Sequence, residues 1–125
     1  MKTAINHVKI FDGEKVFAEN GAILFDETGI LALGANGNSF KEEADTVIDG
    51  SGKTLTPGLI DGHVHLGANG MAPLKTGADM AAAGARIAAQ AQAVWQYGIT
   101  TVCNCATGEN VDIYVRNLIR EGAIP

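Results

Sequence analysis

Up to residue 56 the apolar positions come in short runs divided by strong turn formers. Val8 and Ile10 alternate with polar residues, and Asp12-Gly13 follows. Val16-Phe17-Ala18 is followed by Asn20-Gly21, Ala22-Ile23-Leu24-Phe25 by a turn over 26–29, and Ile30-Leu31-Ala32-Leu33 by Gly34. Asp-Gly and Asn-Gly between apolar runs are hairpin signals, because those residues accept positive φ. The pattern predicts a small antiparallel β unit over 2–56. Its polar loop covers 34–46, and its last strand lies around Thr46-Val47-Ile48.

After Pro57 the period changes. Leu59 to Leu66 reads as a strand, 67–77 as a glycine-rich loop, and Ala78 to Tyr97 as a helix rich in alanine, the best helix former. Thr76 and Asp79 have the spacing of a capping box. Met80, Gly84, Ile87, Ala91 and Val94 fall on one helical face, and the small ones would let it lie close to a sheet. Gly98 is a natural stop. Ile99 to Cys105 has the β-branched content of a strand. Glu109 to Glu121 reads as a second helix with Val111, Tyr114, Val115 and Leu118 inward. Strand, helix, strand, helix predicts an α/β fold with a parallel sheet and right-handed crossovers.

Composition narrows the function. The chain of 125 residues is 46% hydrophobic with a net charge of −5. No basic stripe is present, so neither nucleic acid nor an anionic membrane surface is an expected partner. The start lacks the apolar core of a signal peptide, and no apolar run approaches the roughly 20 residues of a membrane helix. The two cysteines, Cys103 and Cys105, stand one residue apart and cannot staple distant segments. A cytoplasmic protein is expected. No Gly-x-Gly-x-x-Gly fingerprint, phosphate loop or serine elbow occurs.

The candidate chemistry lies in TPGLIDGHVHLG, residues 56–67. Residues i and i+2 of a strand face the same way, so His63 and His65 project side by side at the strand's carboxyl end. In α/β folds that end carries the ligand site. Neutral imidazole is a common ligand for zinc and other transition metals. Alone, His-x-His also describes two polar residues at a strand end.

The same stretch resembles the first barrel strand of the amidohydrolase superfamily, with its Pro-Gly-Leu-Ile-Asp-x-His-x-His segment. Phe11-Asp12-Gly13 is similar to the opening of that family's small β-sandwich, and Asp49-Gly50-Ser51-Gly52-Lys53 to its lead-in to the barrel. Tyr97 to Val102 resembles the second barrel strand. Leu118 to Pro125 resembles the branch related to imidazolonepropionase and to prolidase-like dipeptidases; in the prolidase-like members Arg-Asp often follows Thr-Thr-Val, and here Cys103-Asn104 stands instead. The resemblance implies that His63 and His65 bind a divalent metal, most often zinc, with one or two ions in the complete enzyme. It implies a small-molecule substrate whose C–N bond (amide, cyclic amide or dipeptide) is hydrolysed by a metal-activated water. The implied fold is a β-sandwich portion over 1–57 and the first two βα units of a TIM-type (β/α)8 barrel over 58–125. A full barrel takes about 250 residues. The expectation is therefore an N-terminal fragment, inactive alone, with exposed barrel edges through which it could associate. The remaining ligands and the acid/base group would lie beyond Pro125. The alternatives are a non-catalytic metal- or partner-binding domain and a degenerate relative without metal.

Other candidates read more plainly. Cys103 and Cys105 are expected as small buried hydrophobes on one face. Asp61 shares the parity of His63 and could orient a histidine or make a structural hydrogen bond. His7 is expected at the surface, Trp95 and Tyr97 in packing, and 67–71 at the mouth of the site.

Overall fold

The structure, a computed structural model, describes residues 1–68 and 73–124. The chain forms two compact units, Met1–Pro57 and Gly58–Pro125.

The first unit is a five-stranded sheet built on β1 (Thr3–Phe11). Ala4, Asn6, Val8 and Ile10 are buried at period two, the mark of a strand with one covered face. β2 (Val16–Asp26) pairs antiparallel with β1, from Thr3 opposite Phe25 to Phe11 opposite Val16, and β3 (Gly29–Gly34) continues antiparallel beyond β2. The turns at Asp12 and Asp26 form as expected. The Asp12 carboxylate accepts from the amides of Glu14 and Lys15, both at 2.9 Å, and the Asp26 carboxylate accepts from Thr28.

Two expectations fail here. The unit is not purely antiparallel. β4 (Thr46–Asp49) and β5 (Thr54–Leu55) both pair parallel with β1, because residues 35–45 carry the chain back across the sheet. Asp49 then accepts from the amide (3.1 Å) and hydroxyl (2.7 Å) of Ser51, which turns the chain so that β5 rejoins β1 farther along.

Asn20-Gly21 is not a turn. β2 runs through it, opposite shifts of register in β1 at Ile5–Val8 and Val8–Ile10. A Cβ at Gly21 would meet Gly34 O at 2.8 Å and Ile10 Cδ1 at 2.8 Å, so glycine is there for close approach within a bulged ladder.

The second unit has β6 (Leu59–Val64) and β7 (Ile99–Asn104) paired parallel, with α1 (Gly77–Trp95) between them and α2 (Val111–Arg120) after a single 3₁₀ turn over Gly108–Asn110. The Thr76–Asp79 capping box is present: the Thr76 hydroxyl accepts from the Asp79 amide at 3.1 Å, and the Asp79 carboxylate accepts from the Thr76 amide at 2.9 Å.

Ala83, Ile87, Val111 and Val115 form the buried core, with Leu66, Leu74 and Met80 against it. Gly84 lies against Val111 and Val115, so the small residue admits α2 rather than a sheet. Tyr114 (69% exposed) and Leu118 (42%) do not face inward, because α2 meets its partner on the narrower stripe of Val111 and Val115. Trp95 and Tyr97 are likewise exposed rather than packed.

Candidate metal site at the end of the first parallel strand

β6 stops at Val64, one residue short of His65. His65 lies in the turn that follows, where its carbonyl accepts from the Ala68 amide at 3.3 Å. The pairing with β7 is uneven. Leu59 faces Ile99 and Val64 faces Asn104, but Asp61 faces Val102, so β6 spends three steps where β7 spends two. An extra residue of this kind re-aims side chains and is common beside functional sites. It falls on Gly62 and His63, and it means that simple parity from Asp61 does not carry through.

The two imidazoles converge. His63 Nε2 and His65 Nε2 stand 3.2 Å apart, with ring centroids 5.1 Å apart and planes at 70°. Both side chains are exposed. In the neutral rings this is the distance of one N–H donating to the other nitrogen. It is also close to the separation of two imidazole nitrogens on a tetrahedral zinc. Bonds of about 2.0–2.1 Å at the tetrahedral angle put the nitrogens roughly 3.3–3.4 Å apart. The donor type and the spacing therefore fit the implied metal. Among the described residues no group of three His, Cys, Asp or Glu side chains is placed to hold an ion.

Asp61 does not orient a ring. Its carboxylate accepts from the His63 backbone amide at 3.1 Å and so fixes the strand where it bulges. Cys103 and Cys105 are exposed, contrary to the buried reading, since neither lies on the face covered by the helices. The Cys105 thiol is nonetheless pushed up from its ordinary pKa, first by loss of solvent and then by the Cys103 thiol beside it. It has no sign of an activated thiolate. His7 is exposed in the first unit, with Nδ1 3.3 Å from Asp49 Oδ1, and has no part in this site. Of the loop placed at the mouth, residues 69–71 lie outside the described residues.

Sequence reading missed the groups that hold the histidine turn. The Leu66 amide donates to Asn104 Oδ1 at 2.8 Å, and the Leu66 carbonyl accepts from Thr107 Oγ1 at 3.1 Å. The Gly67 amide donates to Gln90 Oε1 at 2.6 Å. Asn104 Nδ2 in turn donates to Thr107 Oγ1 (2.7 Å) and Asp112 Oδ2 (3.0 Å). Gly67 has φ +77°, and a Cβ there would lie 2.5 Å from Ile87 Cγ1, so the turn sits directly on α1. The available signal was a polar amide, Asn104, at the carboxyl end of a strand parallel to the histidine strand.

Several known proteins are similar to the chain in sequence or fold. No family model matches the chain. It is 37% identical over 107 residues to a dihydroorotase of Enterococcus faecalis, covering 82% of this chain and 21% of that protein. It is 40% identical over 65 residues to an imidazolonepropionase of Fusobacterium nucleatum, covering 50% of this chain and 16% of that one. Its fold matches the crystal structure of a Xaa-Pro dipeptidase with methionine bound in the active site, with a TM-score of 0.78 and 27% identity over 100% of this chain and 31% of that one. The chain thus spans between about a sixth and a third of the relatives it matches. With the His-x-His strand, the sheet that precedes it and these likenesses together, the chain belongs to the amidohydrolase superfamily, with imidazolonepropionase and prolidase-like relatives.

Proposed function

We propose that His63 and His65 are two ligands of a divalent metal ion, zinc first, in a hydrolase that cleaves a C–N bond of a small molecule. The reading places β6, α1, β7 and α2 as the first two units of a (β/α)8 barrel, and Met1–Pro57 as part of a β-sandwich. The observation that carries it is the 3.2 Å approach of the two Nε2 atoms, which matches an edge of a tetrahedral site. The relatives support the reaction class: a dihydroorotase, an imidazolonepropionase and a Xaa-Pro dipeptidase.

When bound, such an ion supplies Lewis acidity and brings the pKa of a coordinated water to roughly 7. The chain's own residues present and steady the ligands. Asp61 fixes the backbone of His63, and the turn from His65 to Ala68 is tied down by Asn104, Thr107 and Gln90. A catalytic zinc takes three protein ligands. This chain brings two, so binding rather than turnover is the property to test on it.

The test is zinc affinity measured by competition with a chromophoric chelator. Wild type is expected to hold one zinc, and His63→Ala and His65→Ala each to lose it. A wild type that takes up no zinc, cobalt or manganese, or an alanine pair that binds as wild type does, overturns the reading.

A further inference from the structure

We infer that Asn104 is the positioning residue of the histidine pair: through the backbone of Leu66 it sets where His65 stands relative to His63. The inference rests on the metal reading above and assigns a role to a residue that touches neither imidazole.

The His63–His65 separation is set by a main chain that changes from strand to turn between the two residues. Val64 is the last ladder residue, and His65 has left the strand. A histidine on a turn is no better placed than the peptide groups that follow it. Here both polar groups of Leu66 are held by side chains at and just past the end of β7: the amide by Asn104 Oδ1 and the carbonyl by Thr107 Oγ1.

Asn104 can do this because its own orientation is fixed. Its Nδ2 donates to Asp112, a carboxylate that only accepts, so Oδ1 must be the atom that faces the Leu66 amide. The second Nδ2 proton goes to Thr107 Oγ1, whose own proton goes to the Leu66 carbonyl. Asn104, Thr107 and Asp112 thus form a closed relay in which each of these donors and acceptors is matched. It is half-buried, where an unmatched partner is costly. Cys105, next in the chain, adds a backbone bond from its amide to Val64 O at 2.9 Å, so the segment 104–105 grips both sides of His65.

Asp is nearly isosteric with Asn but cannot donate. Asn104→Asp keeps an acceptor for Leu66 and loses the donor to Asp112, setting two carboxylates against each other. Outer contacts of metal ligands typically carry 10–100-fold in affinity. The expected result is a roughly 10–100-fold weaker zinc affinity in Asn104→Asp, with partial recovery in the double variant Asn104→Asp, Asp112→Asn, which restores one donor to the pair.

Val115→Ala serves as a control for plain loss of stability: it opens the helix core without removing a donor or acceptor of the network, and should leave zinc affinity within about twofold of wild type. A d–d spectrum of the cobalt form that changes in Asn104→Asp and not in Val115→Ala supports a role in ligand geometry. Amide exchange in the metal-free wild type is an independent readout, with slow exchange at Leu66 and Gly67 expected. Unchanged zinc affinity in Asn104→Asp, an equal loss in Val115→Ala, or unprotected exchange at Leu66 overturns the inference while the metal reading stands. Absence of zinc binding by wild type overturns both.

Discussion

The two units use side-chain hydrogen bonds for different ends. In Met1–Pro57 the acidic side chains of Asp12, Asp26 and Asp49 each bond to a residue two or three positions on, and each closes a turn of the same sheet. The sheet itself is held by backbone ladders to β1 on both sides. In Gly58–Pro125 side chains reach across the sequence, and three of them (Asn104, Thr107, Gln90) converge on the dipeptide Leu66-Gly67, immediately after His65. The second unit has a small core around Ala83, Ile87, Val111 and Val115, while Leu59 and Ile60 at the start of β6 are 59% and 73% exposed. The difference teaches where function sits. The first unit fixes its own shape, with local turns and with longer ties such as those from the Lys2 amide to Asp45 Oδ2 (2.7 Å) and from the Phe40 amide to Asn6 Oδ1 (3.3 Å). The second spends long-range polar contacts on a single turn, and that turn begins at His65, one of the two candidate ligands.

The sharpest way to break this contrast is to open the small core. Ile87 is buried among Ala83, Val111 and Val115 and carries the Gly67 turn on its side chain. Ile87→Ala should cost about 2–5 kcal/mol, the usual range for such a truncation. Because the cavity opens beneath the histidine turn, zinc affinity should fall as well, unlike in Val115→Ala. Hydrogen exchange resolved by unit should show the loss in α1 and α2 and none in β1. Equal loss in both units would erase the distinction drawn here.

Gly21→Ala probes the other side. The added methyl would press on Gly34 O, Ile10 and Ala18, all within 2.9 Å, and backbone cannot yield cheaply. Overpacking of this kind costs about 1–3 kcal/mol. The destabilisation should appear in the exchange of β1 and β2 amides, with zinc affinity at the His63–His65 pair unchanged. A fall in affinity would show that the first unit supports the site after all.

Much of this was legible in the sequence, and the failures have physical causes. The Thr76–Asp79 box and the turns at Asp12 and Asp26 are local, so capping and turn chemistry suffice; the two histidines were legible as neighbours, but they meet across a bulge and a turn rather than by strand period. The parallel return of β4 and β5 was not legible, because pairing depends on where residues 35–45 deliver the chain. Asn20-Gly21 has the composition of a turn, and only the neighbouring strand shows that Gly21 answers a close approach. Val111 and Val115 were readable as buried, but Tyr114 and Leu118 lie off a contact stripe whose width is set by α1. Asn104 was legible only as a polar amide at a strand end; its role was not, because its partner Leu66 is 38 residues away in the chain.

Thr76→Ala is a smaller change. It removes the hydroxyl that accepts from the Asp79 amide and should cost about 1 kcal/mol, the usual value of an N-cap. Thermal unfolding followed at helical wavelengths would read it, and Thr76→Ser should recover most of the loss. If Thr76→Ala is silent, α1 is held by its packed face alone and the cap is incidental.

The smallest expected effect concerns the other half of that box and has a pH signature. The Asp79 carboxyl is held below its ordinary pKa, first by the Thr76 hydroxyl, then by the Thr76 and Lys75 amides that donate to it. A carboxyl whose pKa is lower folded than unfolded binds fewer protons in the native state. Its stabilisation is therefore complete above the unfolded value of about 3.9 and fades as pH falls through the lower folded value. Asp12, Asp26 and Asp49 are lowered in the same sense in the first unit, so a global acid transition would mix both units. A local probe separates them. Trp95, the chain's one tryptophan, sits in the last turn of α1. Between about pH 5 and pH 2 the stability reported by Trp95 should fall less steeply in Asp79→Asn than in wild type, because the variant has no proton to take up there. The acid response of β1 amides should be identical in the two proteins. An unchanged Trp95 profile would mean that the acid sensitivity of α1 arises at another carboxylate.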